Sequence, residues 1–198
     1  MRLHHLLPLT LLVVVTTSAS AAPHRDPIRC GTPERLSGLD RTKPPPVALG
    51  GATKVTRDAF GGTHTVRESD NFAVKWQSTA LTDAQAQVVL DALEHAWVVY
   101  TALGHGVPTG ADTYRMNAYV HGAADNPPID FDGGYATIDD QGYPYFVLSN
   151  SLFEYGDEVV EAVAVHELYH DYQMSLPGFA AESTAWFWES TAEWPPLS

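Results

Sequence analysis

One cysteine, Cys30, stands in a chain of 198 residues. A disulfide-stapled scaffold, which needs several cysteine pairs, is thereby excluded. Positive charge is scarce as well: 11 Lys and Arg face 24 Asp and Glu, a formal net charge of -13. Such a surface repels phosphate backbones, so no nucleic-acid partner is expected. The 15 glycines follow no every-third-residue period, which excludes a collagen-like fibre. Long apolar runs are missing too. The best of them, residues 6–15, is interrupted by Pro8 and Thr10 and is too short for a hydrocarbon core about 30 Å thick.

What is present is enough to fold. Hydrophobic residues make up 44% of the chain and aromatics 11%, which supports a packed core and argues against a disordered polymer. Arg2, the short apolar run and Ala19-Ser20-Ala21-Ala22 together read as a secretory signal peptide over residues 1–22. The expected location is therefore secreted, with no membrane association after signal cleavage. Cys30 is an unpaired thiol in an oxidising compartment, and Pro195-Pro196-Leu197-Ser198 closely follows an apparent helix. Both point to a catalytic domain truncated at its C-terminal end, with a partner cysteine beyond it.

Residues 23–66 read as an extended lead-in, with Pro44-Pro45-Pro46, Gly50-Gly51 and Gly61-Gly62 and little apolar periodicity. The domain proper is expected over 67–198. Residues 72–76 have strand composition. Thr82 and Gln85 form a capping box, and an apolar stripe of Val88, Ala92, Ala96 and Tyr100, with Val89, Leu93 and Trp97, predicts the helix behind it. Strands are predicted at 116–120, 135–138 and 143–148, the last two joined by the turn residues Asp139-Asp140-Gln141-Gly142. A helix follows from about Asp157, read as its N-cap, to Ser175, and a last one over residues 180–194. The order predicts an α+β domain with a small mixed sheet, a backing helix, an active-site helix and a following helix.

His166-Glu167-Leu168-Tyr169-His170 is an H-E-x-x-H motif inside the predicted active-site helix. Spacing i, i+4 puts both imidazoles on one face, one turn apart, within reach of one tetrahedral zinc. Glu167 is placed to take a proton from a water that the metal acidifies. Composition alone would produce the motif in about 2 of 100 such chains. Six of the eight preceding residues are apolar, Val159, Val160, Ala162, Val163, Ala164 and Val165, and histidines on such a helix are costly without partners. The metzincin extension would place Gly at 173 and His at 176, but Gln173 and Leu176 stand there.

With Trp188-Glu189-Ser190-Thr191-Ala192-Glu193-Trp194 on the next helix, the chain resembles the gluzincin zinc metallopeptidases. More narrowly, Asn71–Trp76, Met116–Val120 and the Trp-rich helix are similar to an uncharacterised group of secreted bacterial metallopeptidase-like proteins. The resemblance implies a zincin-like fold, zinc on His166, His170 and Glu189, Glu167 as catalytic base, and Glu193 supporting a histidine ligand. Glu182 is the alternative to Glu189. It lies at the start of the helix, where a carboxylate also complements the helix dipole. The expected function is a secreted zinc-dependent peptidase acting on a protein or peptide substrate that runs antiparallel along an edge strand at 135–138. The alternative is a secreted binding or surface-interaction module with a structural or vestigial zinc. The aspartates at 125, 130, 132, 139 and 140 lack the spacing of a calcium loop and read as solvated loop residues.

Overall fold

The computed structural model describes residues 28–32, 35, 54–77, 81–176 and 185–192. The expected signal peptide, Glu182, Glu193 and the C-terminal Pro-Pro segment lie outside the described residues. Strands β1 (Arg29–Cys30), β2 (Thr65–Glu68), β3 (Phe72–Trp76), β4 (Met116–His121), β5 (Gly133–Ile138) and β6 (Pro144–Ser149) form one sheet in the order β1-β5-β6-β4-β3-β2. The sheet is mixed. β1–β5, β3–β4 and β4–β6 are parallel, while β2–β3 and β5–β6 are antiparallel. Three helices accompany it among the described residues: α1 (Asp83–Ala102), α2 (Asp157–Met174) and α3 (Ala185–Ala192).

Alternation along the strands sorts two cores. Phe72, Val74, Ala118, Val120, Ala136, Phe146 and Leu148 face α1 and α2 and join Leu90, Leu93, Ala96, Val160, Ala164 and Leu168 in one apolar cluster. Their neighbours Tyr119, Tyr135, Tyr145 and Val147 face the other way and pack with Ile129, Phe60 and Phe131. That second face explains why residues 54–64, expected as lead-in, are built into the domain. Phe60 sits edge-on to Tyr119 and Tyr145 at 5.4 and 5.0 Å. Arg57 pairs with Asp139 at 2.6 Å, and its guanidinium covers the Tyr143 ring. Buried Lys75 donates to the Arg57 carbonyl. β2, with mostly exposed side chains, and the two-residue β1 are strands that the periodicity did not reveal.

Local signals set the helix ends. Thr82 accepts from the Gln85 amide and Gln85 reaches back to the Thr82 amide, the reciprocal box expected from sequence. α2 starts differently from expectation. Its N-cap is Gly156, at φ 105°, with no side-chain cap, so Asp157 is the first helical residue. There its carboxylate, with Glu158, complements the positive end of the helix dipole instead of capping. Between β6 and α2 a 3-10 turn, Asn150–Glu154, buries Leu152 and delivers the chain to the start of α2.

β5 lies directly over α2, and glycine makes this possible. Gly134 shares a face with Ala136, and a Cβ there would come within 2.7 Å of Glu167 Cγ. On the neighbouring position a Cβ on Gly133 would overlap the Arg29 carbonyl of β1. Gly134→Ala is therefore expected to push Glu167 out of place, destabilising the fold by about 1–3 kcal/mol as overpacking does. Chemical denaturation reads that loss; an unchanged midpoint would mean that α2 and β5 have room to spare.

Candidate metal centre

A fold needs apolar side chains on the buried face of α2, yet Glu167, His170, Asp171 and Gln173 are all buried there. Each buried polar group left unsatisfied costs about 1–3 kcal/mol, so this run is expensive as mere scaffolding. Its arrangement accounts for the expense. His166 Nε2 and His170 Nε2 approach to 3.1 Å. Glu189, carried by α3, places Oε2 3.4 Å from His166 Nε2 and Oε1 3.4 Å from His170 Nε2. Cys30 Sγ lies 3.4 Å from His170 Nε2 and 3.6 Å from Glu189 Oε1. These four side chains offer ligand atoms that all lie within 4.8 Å of one another, and the group could hold a metal ion.

Hydrogen bonding fixes the protonation of His170. Gln173 Nε2 donates to the Trp188 carbonyl at 2.9 Å, a partner that can only accept, and to Thr191 Oγ1 at 2.8 Å. The amide oxygen must then face His170, whose Nδ1 lies 2.7 Å away and so carries the proton. With Nδ1 bonded to Gln173, Nε2 is the ring nitrogen turned toward the cluster, the arrangement a metal-bound imidazole requires. Gln173 thus does two jobs: it orients a ligand on α2 and ties down the helix that bears Glu189. Gln173→Leu removes both. Loss of such an outer partner typically weakens metal affinity 10- to 100-fold. Competition with a chromophoric chelator is the check, and unchanged affinity would reduce Gln173 to packing.

Glu167 occupies the base of the site. It is fully buried, its Oε2 accepts from Thr32 Oγ1 at 2.9 Å, and Cys30 Sγ is 3.7 Å away. Its other oxygen, Oε1, has no hydrogen-bond partner among the described residues. Burial pushes this carboxyl above the usual range, against the pull of His170, His166, Thr32 and Cys30. Burial, then the Glu167 and Glu189 carboxylates, drive the Cys30 thiol far upward. For Glu189, burial would also raise the carboxyl, but the hydrogen bonds and charge of both histidines take it down to about 2. Two carboxylates, a thiol and two imidazoles converge here. A divalent cation would relieve that crowding of electron pairs and reverse the cost of ionising the thiol.

A cleft of about 300 Å³ opens onto the cluster, lined by Ile28, Arg29 and Cys30 on one side, His166 and Glu167 at its base, and Glu189 and Ala192 opposite. Asp171, one turn beyond Glu167, is also fully buried, and both its oxygens lack hydrogen-bond partners among the described residues. Burial first, then the Glu167 charge, raise it well above the usual range, which favours its neutral form.

The structure brings together His166, Glu167, His170 and Glu189, the residues singled out in the sequence. Glu193, expected beside a histidine ligand, is outside the described residues, and Gln173 is the partner seen at His170. Thr32 went unnoticed, and Cys30 was read as an unpaired thiol and not connected with the motif. They lie more than 130 positions from the motif, and no spacing rule links them to it. The available signal was chemical: a lone thiolate is itself a metal ligand. The edge expected at residues 135–138 also changes. β1 borders the outer side of β5 at Gly133 and Gly134, and within residues 135–138 the Ala136 amide donates to the Thr32 hydroxyl.

Comparison with family models, with curated proteins and with solved structures finds no match. Among the described residues, no helix is long and apolar enough to cross a membrane.

Proposed function

We propose that this chain is a secreted zinc-dependent peptidase of gluzincin type. The observation that carries the reading is Glu189, which reaches both motif histidines from a separate helix at 3.4 Å. Bonds of about 2.0–2.3 Å in a tetrahedron put neighbouring donor atoms about 3.3–3.6 Å apart. Here the two histidine nitrogens are 3.1 Å apart, Glu189 meets each of them at 3.4 Å, and all four donors lie within 4.8 Å of one another. Zinc so held would acidify a water and polarise the carbonyl of a peptide bond.

The chain's own residues supply the rest. His170, held in one tautomer by Gln173, presents a lone pair without needing to reorient. Glu167 lies within the same pocket without belonging to the four-donor group, and its carboxylate, with Oε2 3.7 Å from Cys30 Sγ, can take a proton from the attacking water and return it to the leaving amine. Burial beneath β5 keeps bulk water from solvating that carboxylate. The mixed sheet, the motif helix and the helix that carries Glu189 are compatible with this reading, and the composition of residues 1–22 supports export.

A second reading has one observation in its favour. Cys30 supplies a fourth donor, and zinc sites closed by four protein ligands are commonly structural. The discriminating experiment is hydrolysis of casein by the zinc-loaded chain with and without a chelator. Hydrolysis that stops with chelation and returns with zinc supports the peptidase; one zinc per chain without hydrolysis, in the parent and in a Cys30→Ser variant alike, favours the structural role.

A further inference from the structure

We propose that Cys30 is the fourth ligand of the metal and that residues 28–32 form a built-in inhibitor holding the peptidase latent. The inference rests on the zinc-peptidase reading and deepens it. One short segment takes up three functions of the site at once.

The first is coordination. Cys30 Sγ stands 3.4 Å from His170 Nε2 and 3.6 Å from Glu189 Oε1, at the spacing that the other donors keep among themselves. The second is the base. Thr32, two residues on, donates its hydroxyl to Glu167 Oε2 at 2.9 Å. The third is the substrate edge. Arg29 N donates to the Asp132 carbonyl at 3.0 Å and Gly31 N to the Gly134 carbonyl at 2.7 Å. Thr32 Oγ1 accepts from Ala136 N at 2.7 Å. A peptide added to β5 would need these same backbone groups.

The segment fits as an inhibitor should, without being a substrate. β1 runs parallel to β5, the reverse of the antiparallel course expected for a bound peptide. It presents a thiol where a scissile carbonyl would have to sit. Its seat is tightly shaped: a Cβ on Gly31 would come within 2.6 Å of the Phe131 ring, so only glycine passes there without displacing that ring. Beside the thiol, the fully buried Glu167 keeps Oε1 unpartnered, a base in place but not engaged with substrate. Release breaks the sulfur–metal bond with its electron pair staying on sulfur, and the thiolate takes one proton from solvent. No oxidant or reductant is required. The fourth position and the β5 edge are then free together.

The test loads the full chain and its Cys30→Ser variant with cobalt(II), records near-ultraviolet spectra at equal bound cobalt, and measures casein hydrolysis with zinc. The parent should show a sulfur-to-cobalt charge-transfer band that the variant lacks. If the thiolate-bound state holds nine-tenths or more of the molecules, the variant should hydrolyse about tenfold faster or more. Bound cobalt without the band overturns this inference and leaves the peptidase reading standing. The band together with unchanged hydrolysis in the variant overturns latency and favours a closed structural site. No cobalt bound by either chain overturns both. Should the variant fold poorly, alkylation of the parent decides the ligand question: Cys30 should react slowly when metal-loaded and quickly after chelation, and equal rates would remove it from the metal.

Discussion

Glutamine in place of Glu167 is expected to lower peptide hydrolysis about 100- to 10,000-fold while the chain stays folded and keeps its metal. The amide has the shape of the carboxylate, so it fits the same space beneath Gly134, where a Cβ would already come within 2.7 Å of the Glu167 Cγ. The Thr32 hydroxyl, now a donor to Oε2, can equally meet an amide oxygen or accept from an amide nitrogen. What the amide cannot do is accept the proton of the attacking water. Metal content should not fall, because the donor group consists of Cys30, His166, His170 and Glu189. Steady-state kinetics in the parent and in the Cys30→Ser background, with metal analysis alongside, separate the two effects. A rate within a few-fold of the starting chain would remove Glu167 from the mechanism.

Loss of metal itself is the expected result of Glu189→Ala. Its two oxygens bridge His166 and His170, and both rings hold its carboxyl down at about 2, so it is the anion around which the histidines are arranged. Deleting it should weaken binding by more than the 10- to 100-fold typical of losing an outer partner such as Gln173. Glu182→Ala, in contrast, should leave affinity unchanged. Equilibrium dialysis against zinc distinguishes the two variants. Equal affinity in Glu189→Ala and the parent would return the third ligand to Glu182 or elsewhere.

Much of this arrangement was legible in the sequence because period and punctuation are local. Phe72–Trp76, Met116–His121, the β5–β6 hairpin with its Asp139–Gly142 turn, and the Thr82 capping box each declared themselves within a few residues. So did the i, i+4 histidines. What escaped depends on contacts between distant parts of the chain. β1 has two residues and no alternation to read, and its strand character comes entirely from pairing with Gly133 and Gly134. Residues 54–64 look like linker until the Tyr119–Tyr145 face needs a cover. Gln173 was noticed only for not being the glycine of another zinc class. Its value lies in joining His170 to Trp188 and Thr191 across two helices, which no single-helix pattern encodes. Cys30 read as a thiol in search of a second cysteine, whereas its neighbours in space are His170, Glu189 and the buried Glu167 carboxyl.

The most direct measurement maps new amino termini in an unfolded protein substrate after incubation with the parent and the Cys30→Ser chain, each stripped of metal and then given one equivalent of zinc. A zinc peptidase predicts new termini in the zinc-restored samples, more with Cys30→Ser, and none in the stripped ones. Full zinc occupancy in both chains with no new termini in either would contradict it.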